Sequence, residues 1–112
     1  MKYAVPVSGG QLCPHFGHCE QFALIDVDPQ KKEITGKTMV AAPEHQPGLL
    51  PVWLGEKGVD CVIAGGMGMS AQNIFRENGI QVVVGVSESD PDKAVLSHLH
   101  GRLTTGNNVC DH

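Results

Sequence analysis

One seven-residue run, Cys13-Pro14-His15-Phe16-Gly17-His18-Cys19, concentrates two thiols and two imidazoles. Both are ligands for soft or borderline metals. Cys13 and His15 are two apart, so an extended backbone places them on one face. Pro14 favours that extended form for Cys13, and Gly17 lets the chain turn so that His18 and Cys19 come round. The spacing is not that of a zinc finger, whose paired thiols lie two to four residues apart with a second pair further on. Four ligands from one short segment would crowd a single tetrahedral ion, so a cluster of several metals fits better. Cys110 and His112 form a second pair, again two apart, and His45 stands in a breaker-rich loop. The candidate metal ligands are therefore Cys13, His15, His18, Cys19, His45, Cys110 and His112. Against each stands a plainer reading. The segment can be a structural loop, His15 or His18 can cap a strand end, and Cys110 and His112 can belong to a tail with no role. Cys61 sits in an apolar run, where a thiol is usually a small hydrophobe. His98 and His100 lie near the end of the last helix, where an imidazolium suits the helix dipole.

A second feature is the glycine-rich turn Gly65-Gly66-Met67-Gly68. With Met69-Ser70-Ala71 it fits G-x-G-x-x-A between a strand and a helix, the form of a dinucleotide fingerprint, with Glu88 near the acidic position. Only one such βαβ unit is present, so the pattern is weak. What the turn does offer is backbone N–H groups at a helix start, which suit an anion such as phosphate or a sulfide-rich cluster. Met67 and Met69 add thioethers, although core packing is their commoner use. Gly66 is expected to need positive φ.

These residues need elements to hold them. Residues 2–7 read as a strand by alternation, ended by Ser8-Gly9-Gly10. Strands at 21–27 and 34–41 flank the turn at 28–32 and form an antiparallel hairpin. Residues 49–57 read as a helix with Pro51 in its first turn and Gly58 as its stop. Strand 61–64 precedes a helix capped by Ser70, running to Asn78, with Ala71, Ile74 and Phe75 inward. Strand 80–84 precedes a last helix with Asp90 as cap, Pro91 at its first position and Gly101 as its stop. The order β-β-β-α-β-α-β-α predicts an α/β fold with a mixed five-stranded sheet flanked by helices. The second half is a right-handed parallel βαβ unit, and 106–112 is a polar tail.

The 112 residues make one domain, 41% apolar and 18% charged, with formal net charge -4. That charge argues against nucleic acid. No apolar stretch nears the roughly 20 residues that span a bilayer, so no membrane association is expected. No signal peptide is visible, so a cytoplasmic location is expected, and there the four cysteines are thiols rather than disulfides.

The sequence resembles the dinitrogenase iron–molybdenum cofactor biosynthesis family, the NifX-like and NifB C-terminal domains. The features that carry the resemblance are Ser8-Gly9-Gly10, Pro14-His15-Phe16-Gly17-His18, Phe22-Ala23-Leu24-Ile25-Asp26-Val27, the run from Gly58 to Gly68 and Gly101-Arg102-Leu103. They span nearly the whole chain. The resemblance implies a ribonuclease H-like fold and a non-enzymatic scaffold or carrier for an iron–sulfur or molybdenum-containing cluster, or its precursor. It implies proteins that donate and accept that cluster. His15, Phe16 and Gly17 match the family's His-Phe-Gly motif, and Gly65, Gly66, Met67 and Gly68 match its other loop. Cys13, Cys19 and the Cys110–His112 pair rest on ligand chemistry alone. Two alternatives stay open. One is a metal-dependent nuclease or nucleotide-binding module using Asp26, Asp28, Asp60 and Glu20. The other is a simple zinc protein.

Overall fold

The computed structural model describes residues 1–13, 16, 19–43 and 49–101. The elements are β1 (Lys2–Ser8), β2 (Gln11–Leu12), β3 (Gln21–Asp28), β4 (Glu33–Ala41), α1 (Leu49–Glu56), β5 (Cys61–Ile63), α2 (Met69–Glu77), β6 (Gln81–Val83) and α3 (Pro91–Leu99). One six-stranded sheet runs β4-β3-β1-β5-β6, with β2 paired to β1. β1 pairs in parallel with β5, and β5 with β6. β1–β3, β3–β4 and β1–β2 are antiparallel.

The sheet therefore has one strand more than the sequence pattern predicts. β2 is only two residues long, too short for alternation to register. Its signal lay in the turn. Ser8 pairs with Gln11, and the Gly9-Gly10 between them has φ of 60° and 80°. Two successive left-handed residues are what a two-residue hairpin needs, and glycine adopts them without steric cost.

The central strands are buried on both faces. Tyr3, Val5, Val7, Ala23, Ile25, Cys61 and Ile63 form one face with Ala94 and Val95 of α3. Ala4, Phe22, Leu24, Val62 and Ala64 form the other with Leu50 and Leu54 of α1 and Phe75 of α2. Burying a large aliphatic or aromatic side chain contributes about 1.5–3 kcal/mol, so two such layers hold the sheet. β4 is the edge strand on the antiparallel side, with most of its residues exposed.

α3 runs back along β1. At its start, the Leu12 N–H donates to Ser89 O at 2.7 Å. At its end, Tyr3 Oη lies 2.6 Å from His98 Nδ1. Burial holds the Tyr3 phenol up to about 12, with a smaller push from Cys61, and burial lowers the His98 pKa. The phenol is thus protonated, and it shares this hydrogen bond with a neutral imidazole. This overturns the reading of His98 as a charged partner of the helix dipole: the buried tyrosine claims its ring instead. Cys61, level with Tyr3 in the ladder, is pushed up to about 12 by burial and then by Asp60, in keeping with a small apolar role.

Candidate metal-cluster site

The carboxyl ends of β1 and β5 point the same way, and ligands of open α/β sheets gather beyond such ends. The segment after β2 is tied there at both ends. Cys13 N–H donates to Pro6 O at 2.8 Å, and Glu20 N–H donates to Val7 O at 3.1 Å. Adjacent residues of β1 thus hold the two ends of the thiol-bearing segment. Between them Phe16 is 4% exposed. Its ring packs 5.6 Å from Phe22 and 5.5 Å from Phe75, centroid to centroid. Such ring pairs add about 0.5–1.5 kcal/mol beyond burial. Phe22 in turn stacks at 5.7 Å on Trp53, and Lys57 Nζ lies 4.8 Å over that indole.

The two loops singled out by sequence meet at one hydrogen bond. Phe16 N–H donates to Gly66 O at 2.9 Å. The turn is held from its other side by Gly85 N–H on Gly65 O at 2.9 Å. Gly65 and Gly66 are buried and Gly68 is half-buried. Met67 is 1% exposed, with its side chain in the same core as Phe16 and Phe75. Met69, at the head of α2, is 48% exposed. Gly66 is not among the glycines with positive φ, so its expected conformational role is corrected. It accommodates a buried, close-packed turn rather than a left-handed one.

Cys13 is buried and Cys19 is half-buried. The Cys19 thiol is pushed up to about 11, first by burial and then by the charge of Cys13, its own backbone hydrogen bond pulling weakly the other way. Each thiol is therefore within electrostatic reach of the other. At neutral pH Cys19 therefore keeps its proton.

Of the seven ligands named from sequence, Cys13 and Cys19 are brought to this end. His15, His18, His45, Cys110 and His112, and Gly17 beside them, lie outside the described residues. Among the described residues no group of three His, Cys, Asp or Glu is placed to hold a metal ion. Of the carboxylates named for a nuclease, Asp26, Asp28 and Asp60 lie toward the amino end of β1, away from Glu20. Asp26 pairs with Lys2 at the amino end of β1. Asp28 Oδ1 accepts from the Gln30 and Lys31 N–H groups, and Asp60 Oδ2 accepts from Lys2 N–H. Glu20 stands at the opposite end of β3, next to Cys19. Glu88 Oε1 accepts from Asp90 N–H at 3.1 Å, a turn contact.

Two details of α2 differ from expectation. Its N-cap is Gly68, extended at φ −64° and ψ 153°, without a side-chain cap bond. Ser70 already lies inside the helix. And the residues most buried on α2 are Gln72 and Phe75, while Ala71 and Ile74 are half-buried. Gln72 was missed because its amide reads as solvent-facing. Its signal is its spacing of three from Phe75, on the same helical face.

Comparison with known proteins agrees with this architecture. The family model described as dinitrogenase iron-molybdenum cofactor matches residues 1–101. An uncharacterised protein of Methanocaldococcus jannaschii is 28% identical over 106 residues, 92% of this chain and 89% of that one. The crystal structure of PH0822 superposes with TM-score 0.85 at 25% identity, covering 94% of each chain. The apo form of the orange protein from Desulfovibrio gigas superposes with TM-score 0.75 at 21% identity, over 96% of this chain and 93% of that one.

Proposed function

The chain belongs to the dinitrogenase iron-molybdenum cofactor family, and from that premise we propose that it is a scaffold or carrier, not an enzyme, for a metal–sulfur cluster or its precursor. The cargo is iron–sulfur or molybdenum-containing. It sits at the carboxyl ends of β1 and β5, where Cys13 and Cys19 supply thiolates and His15 and His18 supply imidazoles. His45, Cys110 and His112 are further ligands in this reading. Phe16 shapes one wall, and Gly17 is counted with the cargo-binding residues in this reading. The Gly65–Gly68 turn offers amide N–H groups to the sulfides, as backbone donors do for other anions. The observation that carries the reading is the Phe16 N–H to Gly66 O bond, because it joins the thiol-bearing segment to the glycine turn. The strand order, antiparallel on one side of β1 and parallel on the other, supports a ribonuclease H-like fold. The separation of Asp26, Asp28 and Asp60 from Glu20 favours a carrier over a two-metal nuclease, which needs its carboxylates together. In this reading the protein works in the cytoplasm between a cluster donor and a cluster acceptor.

Among the described residues no helix is long and apolar enough to cross a membrane.

The test is anaerobic loading with iron, sulfide and tetrathiomolybdate, followed by metal and sulfide analysis and a visible spectrum. A coloured protein with stoichiometric metal and acid-labile sulfide is expected. A colourless, metal-free product refutes the carrier reading, and magnesium-dependent nuclease activity lost in Asp26→Asn would replace it.

A further inference from the structure

Gln72 is the one polar residue buried among the described residues, at 4% exposure. It sits on the first turns of α2 and does not face solvent. Its Nε2 donates to Met67 O at 2.9 Å, and its Oε1 accepts from Arg76 Nη2 at 3.3 Å. Both partners fix the amide orientation, since a carbonyl can only accept and a guanidinium can only donate. A buried amide is costly unless hydrogen-bonded, and a leucine would fill this apolar helix face without that cost. The bond it makes lands on the glycine turn.

We infer that Gln72 is a positioning residue for the cargo site, holding the Gly65–Gly68 turn in the conformation that receives the Phe16 amide. The inference rests on the carrier reading above. The physical chain is short. Arg76 orients the Gln72 amide, Gln72 fixes the Met67 carbonyl, and the preceding carbonyl, Gly66 O, accepts from Phe16 N–H. A trans peptide is planar, with its C=O and N–H pointing in opposite directions. Pinning Met67 O toward Gln72 therefore turns the Gly68 N–H away from Gln72. Pinning Gly66 O toward Phe16 likewise turns the Met67 N–H away from that loop. Gln72 thus decides which way one amide of the turn is aimed without touching cargo itself.

The test compares Gln72→Met, which keeps the shape and removes the donor, and Gln72→Glu, which keeps the acceptor for Arg76 and puts a carboxylate against Met67 O. Wild type and both variants are titrated anaerobically with tetrathiomolybdate and loaded with iron and sulfide. Visible circular dichroism reports cargo geometry. Hydrogen exchange of the unloaded proteins reports the Phe16 amide, with the Ala94 amide of α3 as the internal reference. Loss of one buried hydrogen bond corresponds to about tenfold. We expect Phe16 exchange about tenfold faster with Ala94 unchanged, tetrathiomolybdate binding about tenfold weaker, and an altered visible dichroism. Binding and dichroism equal to wild type in both variants would overturn the inference. So would equal acceleration of Phe16 and Ala94 with a matching fall in Tm, the mark of a merely structural role. If wild type itself takes up no cargo, the carrier reading falls, and the Phe16 exchange ratio still decides whether Gln72 joins the two loops.

Discussion

Two helices begin at the same end of the sheet, each after a parallel strand, and they begin differently. At α3 the Asp90 carboxylate accepts from the Asp92 and Lys93 N–H groups, and Pro91 occupies the first turn. Its free donors are satisfied internally. At α2 the cap is Gly68, with no side chain to accept anything. α3 is fastened as a structural element, and its far end is fastened too, through Tyr3 and His98. The start of α2 has no side-chain cap bond among the described residues, and it follows the turn that Phe16 meets. Both caps have extended backbone, and the cap residue makes the difference: a carboxylate fastens the start of α3, and a glycine at α2 supplies no side-chain cap bond.

The strongest way to break that contrast is to remove what keeps the α2 end in place. Phe16→Ala should cost about 3–5 kcal/mol in denaturant unfolding and abolish cargo uptake. If uptake survives, the ring packing against Phe22 and Phe75 does not form the site. The next test exposes the structural helix. Asp90→Ala should cost about 1 kcal/mol and leave metal and sulfide content per folded protein unchanged; a loss of loading would make the α3 start part of the site. The converse variant closes the open helix. An added Cβ at Gly68 meets nothing within 4 Å, so Gly68→Asp should fold normally. It should stabilise α2 by about 0.3–1 kcal/mol through its charge at the helix start, while weakening tetrathiomolybdate uptake. Unchanged uptake would show that the α2 amides are not used. The smallest effect concerns the far end of α3. His98 has a folded-state pKa below its unfolded value near 6.5. Its neutral form therefore contributes stability above that value, and the contribution fades as pH falls through the lower folded pKa. His98 is half-exposed, so the loss should be slight. Thermal melts of wild type and His98→Gln between pH 7.5 and pH 5 should converge on acidification.

Much of this was legible beforehand. The strands and helices follow hydrophobic period and the Asp90-Pro91 start, because those signals are local. The Cys13–Cys19 segment and the glycine turn were each singled out from ligand chemistry and resemblance, and the Phe16 N–H to Gly66 O bond joins them. What escaped had tertiary causes. Burial lowers the pKa of His98 where it meets a tyrosine 95 residues away in sequence. Gln72 is buried because a carbonyl five residues earlier turns toward it. Ser70 fails as a cap because the helix starts at Met69, before its hydroxyl can serve. β2 was written only in its two glycines.

The antiparallel run of α3 along β1 has a practical consequence. Met1, whose amino group lies 3.4 Å from Val27 O, and Gly101, just past His98, come to the same pole, a full strand length from Cys13. A fluorescent fusion, surface linker or affinity handle joined at Met1 is therefore carried on the side remote from Cys13 and Cys19. Immobilised that way, the domain can meet a second protein with its cargo end foremost.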